Sequence, residues 1–295
     1  VAGLRGGAQV RRRFLRGLHL SRHAARLPQQ FDAALQRGGG QAVLGAYGRP
    51  LQEASRLKLS IVVPAFNEER LLGAALESIK SAARVFDGAG GWELIVCDNN
   101  STDRTAAIAR AAGARVVFEP HNQISRARNR GAAAAAGEWL LFVDADSSPG
   151  AELFSDLRSA IEGGCLAGGS TIAADSDSFG FRMGIRVWNA ISRIARWGAG
   201  AFIYCDAAAF RELRGFSEDL YASEELDFFQ RLKALARRGK RKILILHRHP
   251  LHTSDRKVHL YSWSELLGFA GRVALHPRRA LRNAADCRAW YDGRR

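Results

Sequence analysis

What most constrains this chain is an alternation. Between Leu59 and Asp146 four short apolar runs, LSIVVP (59–64), WELIVC (92–97), ARVVF (114–118) and EWLLFVDAD (138–146), are separated by segments of helical periodicity. The runs are near-continuously apolar, so both faces of each strand must be covered. Strands of this kind predict an α/β fold, a Rossmann-like, mostly parallel sheet with helices on both faces. The intervening segments fit. In NEERLLGAALESIKSAA (67–83), Leu72, Ala75, Leu76 and Ile79 form one stripe. TDRTAAIARAA (102–112) opens on turn-forming residues, and ISRARNRGAAAAA (124–136) stops at Gly137. Ligands of such sheets bind beyond the carboxyl ends of the strands. Pro64–Asn67, Asp98–Ser101 and Asp144–Asp146 are therefore expected on one rim.

The second half mixes elements. Cys165–Ala173, Ala201–Asp206 and KILIL (242–246) read as strands, and Phe179–Trp197 and Ser223–Arg238 as helices. HRHPLH (247–252) reads as a solvated basic loop. Residues 1–57 are Arg-rich, contain a GGG at 38–40 and lack a strand pattern. They are expected to be a poorly ordered or helical N-terminal extension. Residues 58–257 form the folded domain. Residues 258–295 form a basic helical tail carrying Leu260, Tyr261, Trp263 and Phe269 among cationic groups.

The net charge of +15 is unevenly spread. Residues 1–58 carry 11 basic and 2 acidic side chains, residues 59–227 carry 16 and 23, and residues 228–295 carry 17 and 4. A uniformly basic domain would point to nucleic acid. An acidic centre with paired carboxylates points instead to a cation site, and no nucleic-acid partner is expected. The basic ends suit an anionic lipid surface, so peripheral association with a membrane is expected of the stretch 258–283. No run approaches the roughly 18–20 apolar residues of a helical span. Cys97, Cys165, Cys205 and Cys287 lack metal or redox spacing, which suits buried thiols in a reducing, cytoplasmic compartment.

Neither GxGxxG nor GxxxxGK[ST] follows the first strand; PAFNEE does. Asp144-Ala145-Asp146 either anchors a hard divalent cation or is a plain polar loop. Asp98 either accepts from a nucleobase N–H, or closes an Asx turn or caps a helix. Glu224, Glu225 and Asp227 follow Ser223, which can cap a helix whose dipole favours early acids. A carboxylate there that faces a cleft can also serve as a general base. Among eight histidines, His252, beside Thr253 and Ser254, is the candidate to complete a metal shell.

Taken together, LSIVVPAFNEER, VCDNNSTDRT, SRARNRGAAAAAGEWLLFVDAD and GAFIYCDAAAFRELRGFSEDLYASEELDFFQRL resemble bacterial family 2 glycosyltransferases of the GT-A fold. The resemblance covers about residues 58–257. It implies a nucleotide-binding half over 58–146 and an acceptor half over 147–257. It implies transfer of a sugar from a nucleotide-diphosphate donor to a saccharide or lipid-linked hydroxyl, as in building cell-envelope polysaccharide, with Mn²⁺ or Mg²⁺. Pro64, Ala65, Asn67 and Glu68 would line the base and ribose pocket, and Asp98 would hold the base edge. Arg128 would lie near the diphosphate or the carboxylates. Asp146, with His252, would ligate the metal, and Asp144 would contact ribose or a metal-bound water. Gly200, Asp206 and Glu224 would border the acceptor. The family's acidic pair is commonly Glu-Asp, its second member the base. Here it is Glu-Glu, so Glu225 takes that role in an inverting displacement. A retaining transferase of the same fold and a non-catalytic basic binding module are the competing readings.

Overall fold

In the computed structural model, which describes residues 58–173 and 179–254, the first apolar run becomes β1 (Leu59–Ala65), buried at every position. β1 is flanked in parallel by β2 (Trp92–Asp98) and β4 (Trp139–Val143), and β3 (Arg115–Phe118) extends the sheet beyond β2. Side chains alternate across this sheet, as the strand period requires. Leu59, Ile61, Val63, Leu141 and Val143 pack with α1 (Leu72–Ala83), α2 (Thr105–Ala111) and α4 (Ala151–Glu162). Val62, Leu140 and Phe142 pack on the opposite face with α3 (Ile124–Ala134), α6 (Ala207–Glu212) and α7 (Glu224–Arg238). Each fully buried side chain of this size contributes about 1.5–3 kcal/mol relative to exposure, which is why the apolar runs, not the polar segments, fix the layers. The expected helices on both faces are present.

The complete sheet has the order β3-β2-β1-β4-β7-β6-β8-β5, with β5 (Ser147–Ser148), β6 (Cys165–Ala173), β7 (Phe202–Asp206) and β8 (Lys242–Thr253). Four of its seven junctions are parallel. β7 enters antiparallel between β4 and β6, and β5 lies antiparallel on β8. The sequence pattern held no trace of these three reversals. The predicted loop HRHPLH is also corrected: it lies inside β8. The pairing with β6 jumps from Ser170 opposite Leu246 to Ile172 opposite Leu251, so His247–Pro250 bulge out of a ladder that continues to Thr253. His249 meets Asp156 of α4, Nδ1 to Oδ2 at 3.0 Å.

A cluster of phenylalanines anchors the second half. Phe142 of β4, Phe210 of α6, Phe216 and Phe228 of α7 stack with ring centroids 4.5–5.7 Å apart. Such pairs add about 0.5–1.5 kcal/mol each beyond their area. Phe216 opens the segment that leads into α7 and its acidic start.

All described residues belong to one compact unit, Gln52–Arg295. None of the described helices is long and apolar enough to cross a membrane. The expectations for residues 1–57 and 258–295 fall outside the described residues. Cys97, Cys165 and Cys205 are buried free thiols, as expected.

Candidate active site

The rim at the carboxyl ends of β1 and β2 is built from two loops sewn together. Asn67 N–H donates to Ser101 Oγ (3.0 Å), and Asn67 Oδ1 accepts from the Thr102 amide (2.8 Å). Glu68 N–H donates to Thr105 Oγ1 (2.8 Å) and Glu69 N–H to Asp103 Oδ2 (3.1 Å). Asn67 adopts φ 52°, a left-handed conformation that Asn tolerates better than most residues. A left-handed Asn67 cannot belong to the helix, and α1 begins at Leu72 and not at the expected Asn67. Asp98 Oδ1 accepts from the Ser101 amide, three residues on, at 3.0 Å, a local bond of the capping kind. One oxygen committed to that bond leaves the carboxylate other acceptor positions. Pro64, Ala65, Asn67, Glu68 and Asp98 thus share one corner, with Asn99 N–H donating to Ala65 O at 2.8 Å.

A second cluster centres on Arg128 of α3, whose side chain is 1% exposed. Its Nη1 donates to Glu224 Oε1 at 2.6 Å. Its Nη2 donates to Asp144 Oδ1 at 3.2 Å and to the Gly200 carbonyl at 2.9 Å. Three segments far apart in sequence therefore meet on one guanidinium: the loop after β4, the approach to β7 and the start of α7. A Cβ at Gly200 would stand 3.3 Å from Arg128 Nη2 and 3.9 Å from Glu225 Cδ, which puts Glu225 against the same cluster.

The charges do not balance. One guanidinium faces Asp144, Glu224 and Glu225. Burial alone would lower the Arg128 pKa, but the three carboxylates outweigh it and raise it. Burial and the adjacent Glu225 carboxylate push the Glu224 carboxyl up, to about 8, against the pull of Arg128. The excess of negative charge around one guanidinium thus favours the protonated form of the most buried acid. Glu225 itself is partly exposed.

Asp146 lies beyond β4 in the turn to β5, and its carbonyl accepts from the Ser254 amide at 3.2 Å. The β5–β8 pairing sets Ser147 opposite Thr253 and Ser148 opposite His252. Thr253 turns inward, where its Oγ1 accepts from Ser147 Oγ at 3.3 Å, and His252 is exposed. Asp146 and His252 are therefore carried on paired backbone, with His252 on the face away from Thr253. One carboxylate and one imidazole suit Mn²⁺ or Mg²⁺ that takes its remaining ligands from water and phosphate oxygens. Among the described residues no three His, Cys, Asp or Glu side chains form a ready-made cation cage.

The sequence overlooked what holds these acids in place. From α3, Asn129 pairs with both backbone groups of Phe216: Nδ2 donates to its carbonyl and Oδ1 accepts from its amide, each at 2.9 Å. Gln123 Nε2 donates to the carbonyls of Glu218 (2.7 Å) and Leu220 (3.0 Å), and Arg126 pairs with Glu218. One face of α3 thus clamps the whole approach to α7. The signal that could have revealed it is the polar row Gln123, Arg126 and Asn129, too polar for a helix packed on a sheet.

Three expectations need correction. Asp206 is not brought to the cluster: it pairs across from Trp139 at the far end of β4, and its Oδ1 caps α6 through the amides of Ala208 and Ala209. Glu224 does not border an open acceptor space; it is turned inward onto Arg128. Ser223 does not cap α7 with its side chain. It takes φ 63°, and its carbonyl accepts from the Leu226 amide at 3.1 Å. Trp197 packs against the α6–α7 core, with Lys233 Nζ 4.9 Å from its ring centre.

The family model described as "Glycosyl transferase family 2" matches residues 60–216, more than half of the chain. An uncharacterised glycosyltransferase of Mycobacterium tuberculosis is 38% identical over 90 residues, 30% of this chain and 37% of that protein. Glucosyl-3-phosphoglycerate synthase of Mycolicibacterium smegmatis is 39% identical over 98 residues, 30% of each chain. The chain spans about a quarter to two fifths of the length of the curated relatives it matches. Among solved structures, glucosyl-3-phosphoglycerate synthase from M. tuberculosis in complex with Mn²⁺, UDP and phosphoglyceric acid superposes with a TM-score of 0.52 at 20% identity, covering 85% of this chain and 86% of that one. TarS 1–349 of S. aureus in complex with UDP-GlcNAc gives 0.52 at 19% identity, covering 68% and 59%. At these identities the likeness establishes the fold, GT-A, and nothing finer.

Proposed function

This chain belongs to glycosyl transferase family 2, and from that premise we propose that it moves a sugar from a nucleotide-diphosphate donor to an acceptor hydroxyl with inversion at the anomeric carbon. The observation that carries the reading is the division of labour around Arg128. The guanidinium gathers Asp144 and Glu224 and leaves Glu225 beside them, partly exposed. A base must reach solvent-borne substrate, and a buried, ion-paired acid cannot.

In this reading the nucleotide sits over the corner formed by Pro64, Ala65, Asn67 and Glu68, with Asp98 on the base edge. Asp144 addresses the ribose from its place beside Arg128. Asp146 and His252 hold Mn²⁺ or Mg²⁺, which when bound stabilises negative charge on the diphosphate. Glu225 accepts the proton of the acceptor hydroxyl as its oxygen bonds to the anomeric carbon and the bond to the diphosphate breaks. Arg128 is too buried to touch the diphosphate. Its work is to fix the loop after β4 and the start of α7 relative to each other, which keeps donor and base in register. The acceptor is a saccharide or a lipid-linked hydroxyl, met near Gly200. We place this activity in the cytoplasm.

A donor screen tests the reading. Binding of UDP-, GDP- and dTDP-sugars is measured by calorimetry with Mn²⁺ or Mg²⁺ and again with chelator. One donor should bind in a metal-dependent way, and Asp146→Ala should abolish that binding. Donor binding that survives both the chelator and the substitution removes the metal assignment. Retention of configuration in the product, read by NMR, removes Glu225 as the base of a single displacement.

A further inference from the structure

Helix α5 (Phe179–Ala195) carries an apolar stripe on its solvent side. Its inward side is fixed by polar contacts: Asn189 Oδ1 accepts from the Ile172 amide (3.0 Å), Asn189 Nδ2 donates to the Ile172 carbonyl (2.8 Å), and Ser192, fully buried, donates to the Trp197 carbonyl. Four large apolar residues face outward. Met183, Val187, Ile191 and Ile194 are 41%, 52%, 42% and 85% exposed. Spaced by four, four and three residues, they make one stripe about 17 Å long. A helix of a soluble domain ordinarily buries such a stripe.

The charge beside the stripe says what covers it. Arg182, Arg186 and Arg193 lie exposed along the neighbouring row of the helix, and no Asp or Glu occurs from Ser178 to Cys205. This cationic segment stands within the region 59–227, where acidic residues outnumber basic ones. The two ends of the chain, at 1–58 and 228–295, are themselves strongly basic and do not complement an arginine row. An anionic lipid layer does: apolar side chains enter the acyl boundary while guanidinium groups stay among phosphates.

We propose that α5 is an in-plane docking helix that seats the protein on an anionic membrane surface through Met183, Val187, Ile191 and Ile194. The surface differs from the tail at 258–283. The docking does not depend on the transferase reading. Its corollary does: α5 ends five residues before Gly200, so a protein seated this way suits an acceptor held in the same headgroup layer.

The full chain is sedimented with vesicles of phosphatidylcholine alone or with phosphatidylglycerol added. It should partition onto the anionic vesicles and leave them as salt is raised. Ile191→Ser with Ile194→Ser should lower the partition coefficient by about ten-fold or more, since each removes a large apolar group from the lipid boundary. Arg186→Gln with Arg193→Gln should weaken binding to anionic vesicles only. Both pairs alter exposed positions, and an unchanged melting temperature confirms that each variant folds. Partition unchanged in the isoleucine pair overturns the proposal, whatever the donor screen gives. Ile194→Cys, in a chain with Cys287→Ser and its remaining cysteines buried, provides the second measurement. It should react rapidly with a soluble maleimide and slowly once anionic vesicles are added. Slow reaction without vesicles means the chain itself, or a second copy if the rate depends on concentration, covers the stripe, and overturns the proposal.

Discussion

Replacing Glu225 by its neutral isostere separates chemistry from structure. Glu225→Gln keeps shape and contacts near Gly200 and removes the proton acceptor. Turnover should fall by about 10²–10⁴-fold with donor affinity unchanged, measured as kcat against the donor Kd. Glu224→Gln reports something else. The carboxyl of Glu224 is raised by burial and by Glu225, so between its ordinary range and about 8 the folded chain keeps a proton that the unfolded chain gives up. Stability from this group is full below pH about 4.5 and is lost as pH rises through about 8, with a slope of at most about 1.4 kcal/mol per pH unit. Denaturant titrations across that interval should show the wild type losing stability relative to Glu224→Gln. Parallel curves would mean that Glu224 is ionised throughout. Neither role was readable from the doublet alone. The sequence says that two acids open α7; only the position of Arg128, 96 residues away, says which is pinned and which is free to act.

At the scale of elements, α3 is the part that couples the two halves. Asn129→Ala would leave both backbone groups of Phe216 without their partner, a cost of about 1–3 kcal/mol. Because Phe216 leads into α7, kcat should drop more than donor affinity, and the same variant should unfold at lower denaturant. A loss of stability with normal turnover would show that the clamp holds the fold and not the base. Elements with strong local signals were legible. β1 to β4, β6, β7 and the helices α1, α2, α3, α5 and α7 follow from apolar runs and helical stripes, whereas α4 was not read. Where local signal and pairing conflict, reading failed. His247–Pro250 look like a loop because they do leave the ladder, but the strand resumes at Leu251, fixed by partners in β6 and β5. α1 starts late because Asn67 turns left-handed where its loop is bonded to side chains more than thirty residues on. The rim acids were found because they end strands. The Asp206 error has the same source: it also ends a strand, but one whose antiparallel direction delivers it to the opposite edge.

On the scale of the whole molecule, the parallel portion from β1 to β4 and the mixed portion from β6 to β8 meet along one junction, β4 against β7. That junction also carries the site, since Asp144 follows β4 and Gly200 precedes β7. Its register, Val143 opposite Phe202, thereby sets Asp144 against Gly200. Within the sheet, β4 does not have its second neighbour until residues 202–206 exist, about 60 residues later. On a ribosome adding roughly 5–20 residues per second, that leaves an open strand edge for some seconds. Bare edges of apolar strands recruit other strands. The nascent protein therefore passes through an interval in which its hydrogen-bonding groups along Trp139–Val143 are unsealed, and its yield in a cell should depend on how well that interval is guarded.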